Sequence, residues 1–216
     1  MPREIRIRFE ETLKEGVKNH DEYLELLNIT KFIYYTGTRI SSTLNFNFDT
    51  NFYSLSENMW MLEVMDKGKN GGVKWDKYLV GHALESFKEY CSKRFHIKID
   101  DLEDNLSHRT NYLFPSFNKK GKSRDDLVRK SFKSALIKAG LNYKKFQPTH
   151  KWRHTFAQEF LNASNWNYEL CASIGGWIST SILKKHYGGI GMEPKLRGLR
   201  KSMGLEIREE KHELRW

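Results

Sequence analysis

Cysteine is nearly absent: Cys91 and Cys171 are the only two among 216 residues. So few exclude a disulfide framework and a cysteine-rich zinc module, and they fit a reducing, intracellular setting. No stretch approaches the roughly 18 consecutive apolar residues of a membrane span. The N-terminus, Met1-Pro2-Arg3-Glu4-Ile5-Arg6-Ile7-Arg8, alternates charge with apolar side chains and lacks the long apolar core of a signal peptide. A cytoplasmic protein without membrane association is therefore expected. Low-complexity tracts and internal repeats are missing too, and the length suits one well-buried domain rather than two.

What the chain has is positive charge. A formal net charge of +10 and a pI near 9.5 attract any polyanion, and a DNA backbone is the commonest one inside cells. Membranes and acidic proteins satisfy the same charge, so it gains weight only where it coincides with chemistry.

The hydrophobic pattern predicts a mainly helical domain with a small antiparallel sheet. Leu24, Leu27, Ile29, Phe32 and Ile33 recur at roughly helical spacing, with Asp21 as the expected cap and Gly37 as the terminator. Thr38 reads as the cap of a second helix starting at Arg39. Trp60 to Met65 and Val73 to Tyr78 read as the strands of a hairpin whose tip, Lys67-Gly68-Lys69-Asn70-Gly71-Gly72, carries lysines. Val80, Leu84, Phe87 and Cys91 form one helical face. The polar stretch from Asp100 to Asn111 reads as a loop. Ser123 with Asp126 resembles a capping box for a helix reaching Gly140. Pro148-Thr149 then opens a helix in which Trp152, Phe156 and Phe160 make a buried stripe, while His150 and Arg153, three apart, share another face.

Several of these segments carry groups suited to a phosphodiester. Its anionic oxygens repel a nucleophile, so attack needs fixed positive charge where the pentavalent transition state gathers negative charge. Arg39 and Arg153 suit that task because a guanidinium fork grips phosphate bidentately and keeps its proton. Tyr187 is a candidate nucleophile; its phenol needs a base or a positive field, which His150 and the arginines can supply.

The segments Thr36-Gly37-Thr38-Arg39-Ile40-Ser41, Asp66-Lys67-Gly68-Lys69, His150-Lys151-Trp152-Arg153-His154 and Lys185-His186-Tyr187-Gly188, with Trp177 between the last two, resemble in order the motifs of the tyrosine recombinase (phage integrase) catalytic domain. The resemblance runs from about Leu24 to just past Tyr187. It implies cleavage and rejoining of double-stranded DNA through a 3′-phosphotyrosyl intermediate, as an integrase of a mobile element, with self-association on DNA and no metal or other cofactor. It also implies a general acid at Lys67, with Lys69 the alternate, and puts Trp177 where the family carries a second His or a Trp able to bond a phosphate oxygen. His154 becomes a structural histidine behind the site. A type IB topoisomerase-like nicking-closing enzyme, or a DNA-binding protein of the same fold without turnover, are the alternatives.

Taken singly, each residue has an ordinary reading. Arg39 is a surface arginine, Tyr187 half-buried packing, the two lysines solubilising turn residues, and Trp177 core. His150 and His154 have the i, i+4 spacing of a helical zinc pair, but Lys151 replaces the glutamate of a metalloprotease motif and no third ligand suggests itself. Conjunction and order favour the functional reading. Three departures stand out: Ser42 replaces the acidic residue usual three positions after the first arginine; the Trp177–Tyr187 gap is one residue longer than usual; and His186 adjoins the tyrosine, either as an idle neighbour or as a group that tunes the phenol. Residues 1–20 are expected as an extension and 195–216 as a basic tail, docking in trans on a neighbouring subunit or solvated. No separate N-terminal DNA-binding domain is read from the chain.

Overall fold

The computed structural model describes residues 3–17, 19–49, 52–66, 72–106, 109, 111–117, 123–138, 140–146, 148–188 and 202–203. Helix α1 (Arg3–Gly16) occupies most of the stretch expected as an extension. Its Phe9 and Leu13, one turn apart, are fully buried, and the Phe9 ring lies 5.7 Å from both Phe132 and Trp152. Apolar burial on this scale is what holds a helix whose other faces are charged.

Helix α2 (His20–Thr36) is capped by Asn19, not Asp21: the Asn19 side chain accepts from the Asp21 N–H at 2.8 Å, and Asp21 sits in the first turn. Gly37 ends it as expected, at φ 66°. A Cβ there would meet Phe156 at 2.5 Å, so glycine is required by space as well as by backbone. The next helix, α3 (Ile40–Leu44), starts one residue later than expected, with Arg39 in extended conformation as its cap residue. Thr38 instead ties the corner, its hydroxyl lying 3.0 Å from Thr36 Oγ1 and 2.8 Å from Thr43 Oγ1.

The sheet has strands β1 (Phe52–Ser56), β2 (Met59–Asp66) and β3 (Val73–Val80), antiparallel and in that order. β1 is a short third strand beyond the expected hairpin. Register pairs Met59 with Val80, Leu62 with Lys77 and Asp66 with Val73. Trp60, Leu62 and Val64 face the core from β2, and the same alternation carries Asp66 inward; on β3 it carries Lys77 inward beside Leu79. Two ionisable residues thus occupy inward sheet positions.

Helix α4 (Gly81–Phe95) follows directly. The expected loop after it holds a 3-10 turn (Ile99–Asp101) and α5 (Leu102–Leu106), anchored by the fully buried Leu102 and Leu106. Helix α6 (Arg124–Lys138) uses the expected Ser123 cap, and α7 (Tyr143–Phe146) is a single turn. Then come α8 (Pro148–Ala163), α9 (Tyr168–Gly175), capped by Asn167, and α10 (Thr180–Tyr187), capped by Ser179.

The apolar residues form two clusters. The larger joins α1, α2, the sheet, α4 and α6 and ends at Trp152; the smaller collects Phe156, Leu161, Cys171, Trp177 and Leu183. Helix α8 feeds both, and Arg153 sits on the turn between Trp152 and Phe156. The mainly helical architecture with a small antiparallel sheet is therefore the one the pattern predicted. Among the described residues no helix is long and apolar enough to cross a membrane.

Candidate active site

Arg153 is held by two helix ends. Its guanidinium donates to the Gly37 carbonyl at the end of α2 and, at 3.2 Å, to the Gly176 carbonyl at the end of α9. Both glycines adopt left-handed conformations, which bring those carbonyls to the buried fork. The guanidinium carbon also lies 3.8 Å above the Trp177 ring, which stacks nearly parallel on Phe156. Gly175 makes room for that ring: a Cβ there would lie 1.8 Å from it. Burial and the neighbouring Arg39 lower the Arg153 pKa, yet the guanidinium stays charged at neutral pH.

Arg39 reaches the same cleft from the start of α3. Its partner is the buried carboxylate of Asp66, the last residue of β2, and the Ser42 hydroxyl donates to that carboxylate at 2.9 Å. The acid absent from position 42 is thus replaced by one delivered from the sheet, with Ser42 bonded to it. Thr38, Trp75, Lys77 and Gly176 line the cleft along with the two arginines.

His150 lies one turn before Arg153 on α8. Burial, Arg129, Arg153 and Arg39 hold its imidazole below the usual value, so it is neutral at neutral pH. Tyr187, the last residue of α10, packs on the smaller cluster and shares a hydrogen bond with His154 Nδ1. Burial pushes its phenol well up, opposed by the charge of Arg153. His154 is itself held below the usual imidazole range, first by burial and then by Lys151, His186, His150 and Arg153. The resemblance makes His154 a structural histidine behind the site; the fold puts it on the phenol.

Arg39, His150, Arg153, Trp177 and Tyr187 therefore converge from four separate segments, α8 supplying both His150 and Arg153. Trp177 is mostly buried, with its ring face under Arg153. Lys67 and Lys69, and nearly all of the tail 195–216, lie outside the described residues. Sequence reasoning missed Asp66 and Lys77. Their signal was periodicity: Lys77 falls between Trp75 and Leu79 on one strand face, and Asp66 continues the series Trp60, Leu62, Val64. Among the described residues no group of three His, Cys, Asp or Glu side chains is placed to hold a metal ion.

The sequence profile of the phage integrase family matches residues 9–190. Among solved structures, the chain is similar to the XerH site-specific recombinase bound to difH substrate in a pre-cleavage complex, at 20% identity and TM-score 0.61 over 91% of this chain and 51% of that one. It is also similar to XerH bound to palindromic difH in a post-cleavage complex, at 18% identity and TM-score 0.61 over 94% and 52%. The chain spans about half the length of these structures, and the likeness is one of fold. No curated protein matches it. With a profile covering most of its length and the fold to go with it, the chain belongs to the phage integrase family and has the tyrosine recombinase catalytic-domain fold.

Proposed function

We propose that this chain cleaves and rejoins duplex DNA at specific sites through a covalent 3′-phosphotyrosyl intermediate, as the catalytic domain of a mobile-element integrase acting in the cytoplasm and self-associating on DNA. One observation carries the reading: two buried or half-buried arginines line one cleft, and the Tyr187 phenol lies within reach of the field of the deeper one. The solved XerH complexes capture that recombinase on DNA before and after cleavage; the same activity in this chain is part of the proposal.

Each step has a residue. Arg39 and Arg153 bind the nonbridging oxygens of the scissile phosphate and stabilise the charge that grows on them in the pentavalent transition state. Neutral His154 takes the phenolic proton as Tyr187 Oη attacks phosphorus. His150, beside the arginines, donates a hydrogen bond to a phosphate oxygen. The departing 5′ oxygen takes a proton from Lys67, the role the family resemblance gives it. Rejoining reverses these steps, with the 5′ hydroxyl displacing the tyrosine.

The test is a covalent trap. A library of nicked suicide duplexes of randomised sequence, incubated with the protein, should yield a DNA adduct on Tyr187 enriched in one sequence. No adduct across the library favours a DNA-binding protein without turnover. Relaxation of supercoiled plasmid with no recombinant product favours the topoisomerase-like alternative.

A further inference from the structure

Lys77 is 2% exposed, on an inward position of β3, and its Nζ donates to the Ile174 carbonyl near the end of α9 at 2.6 Å. It lines the cleft with Arg39 and Arg153, and Gly176 lies so close that a Cβ there would stand 3.0 Å from Nζ. The groups facing it come from every element around it: Arg39 at the start of α3, Arg153 on α8, Asp66 ending β2, Asp76 on its own strand, and Cys171 on α9. Burial keeps the Cys171 thiol protonated, its pKa pushed up to about 12. Asp66 is already paired with Arg39. Fully protonated and empty, the cleft holds three cations against that one buried carboxylate.

Such a cluster is unfavourable without an anion, and the three cations differ in one respect. Arginine keeps its proton, whereas a buried lysine readily gives its own up. We propose that Lys77 is a titrating third cation of the phosphate site, which takes up a proton when the scissile phosphate seats between Arg39 and Arg153. This rests on the phosphate-clamp reading above. Burial and the two arginines depress the free amine to about 7, whereas an anion within about 4–6 Å raises such a value by roughly one to three units. The Ile174 carbonyl accepts a hydrogen bond from either form, so the side chain stays in place while its charge changes. Lys77 thus acts as a positioning and charge-balancing residue: the site becomes most positive when the phosphate is present.

The experiment follows the ε-methylene carbons of lysines in the full chain by NMR against pH, in chloride and in sulfate at matched ionic strength. Sulfate is a tetrahedral dianion that does not titrate in this range. Lys77→Gln, which keeps an N–H for the Ile174 carbonyl, assigns the signal, and Lys77→Met serves if that variant does not fold. We expect one lysine to titrate near neutrality in chloride, to vanish from the spectrum in the variant, and to move up by about one unit or more in sulfate. Titration alongside surface lysines, near 10, overturns the proposal. So does an unmoved midpoint while the Arg39 and Arg153 side-chain signals report bound sulfate. If those two signals ignore sulfate, the clamp reading falls and this proposal falls with it.

Discussion

The Ser42 hydroxyl donates a hydrogen bond to Asp66 across 24 positions of sequence, and the carboxylate it holds is the partner of Arg39. The first arginine of the cleft is therefore oriented by the sheet and not by its own helix. Asp66→Asn leaves the arginine its charge but loosens its geometry, and misplacing a catalytic group by about 1 Å costs roughly 100-fold. Single-turnover cleavage should fall by about that factor with DNA affinity little changed, and Ser42→Ala should show a smaller loss. Equal losses in affinity and rate would make the pair a plain binding determinant.

Tyr187→Phe should bind DNA and form no covalent adduct; an adduct mapped to Tyr168 would displace Tyr187 as nucleophile. A base must be neutral to accept a proton, and the His154 pKa is held below 6.5. Cleavage should therefore rise with pH through a value below 6.5 and level off above it. That acid limb should disappear in His154→Ala and persist in His150→Ala. The opposite pattern would return the role of base to His150.

Arg153 is tested against Arg39 by replacing each with Ala. Loss of one fixed donor to a transition-state oxyanion typically costs about 100- to 1,000-fold in rate. Both variants should lose that much, and addition of EDTA should leave wild-type cleavage unchanged. Rates within a few-fold of wild type would return these arginines to ordinary surface or structural roles, and a strict metal requirement would revive a ligand role for His150 and His154.

Lys67 is separated from its neighbours by the leaving group. Proton donation contributes roughly 100- to 10,000-fold, and replacing the bridging 5′ oxygen with sulfur removes the need for it. Lys67→Ala should cleave ordinary DNA very slowly and recover on the 5′-thio substrate, while Lys69→Ala is mildly affected on both. Rescue of Lys69→Ala alone shifts the acid to Lys69, and rescue of neither makes both lysines phosphate contacts.

The sequence was readable where function is local. Gly37 before Arg39, the three-residue step from His150 to Arg153, and the apolar stripe of α8 are patterns within a turn or two, and they point to the helices and to the groups that the fold brings together. Partners supplied by tertiary packing were not readable. Asp66 stands next to the hairpin lysines and reads as a turn residue until the sheet register points it inward. Lys77 reads as an ordinary polar strand residue unless the strand face is followed from Trp75 to Leu79. His154 meets Tyr187 only because α10 folds back onto α8, a contact spanning 33 positions. Helix α1 escaped because Phe9 and Leu13 sit among charges, and β1 because five residues with a bulge give too little alternation.

The two arginines of the cleft are mounted on different cores. Arg39 projects from the larger cluster beside Ile40, whereas Arg153 lies over Trp177 of the smaller, on which Tyr187 also packs, and α8 contributes side chains to both. The spacing of the two guanidinium forks therefore depends on how those cores are joined, and α8 is the beam they share.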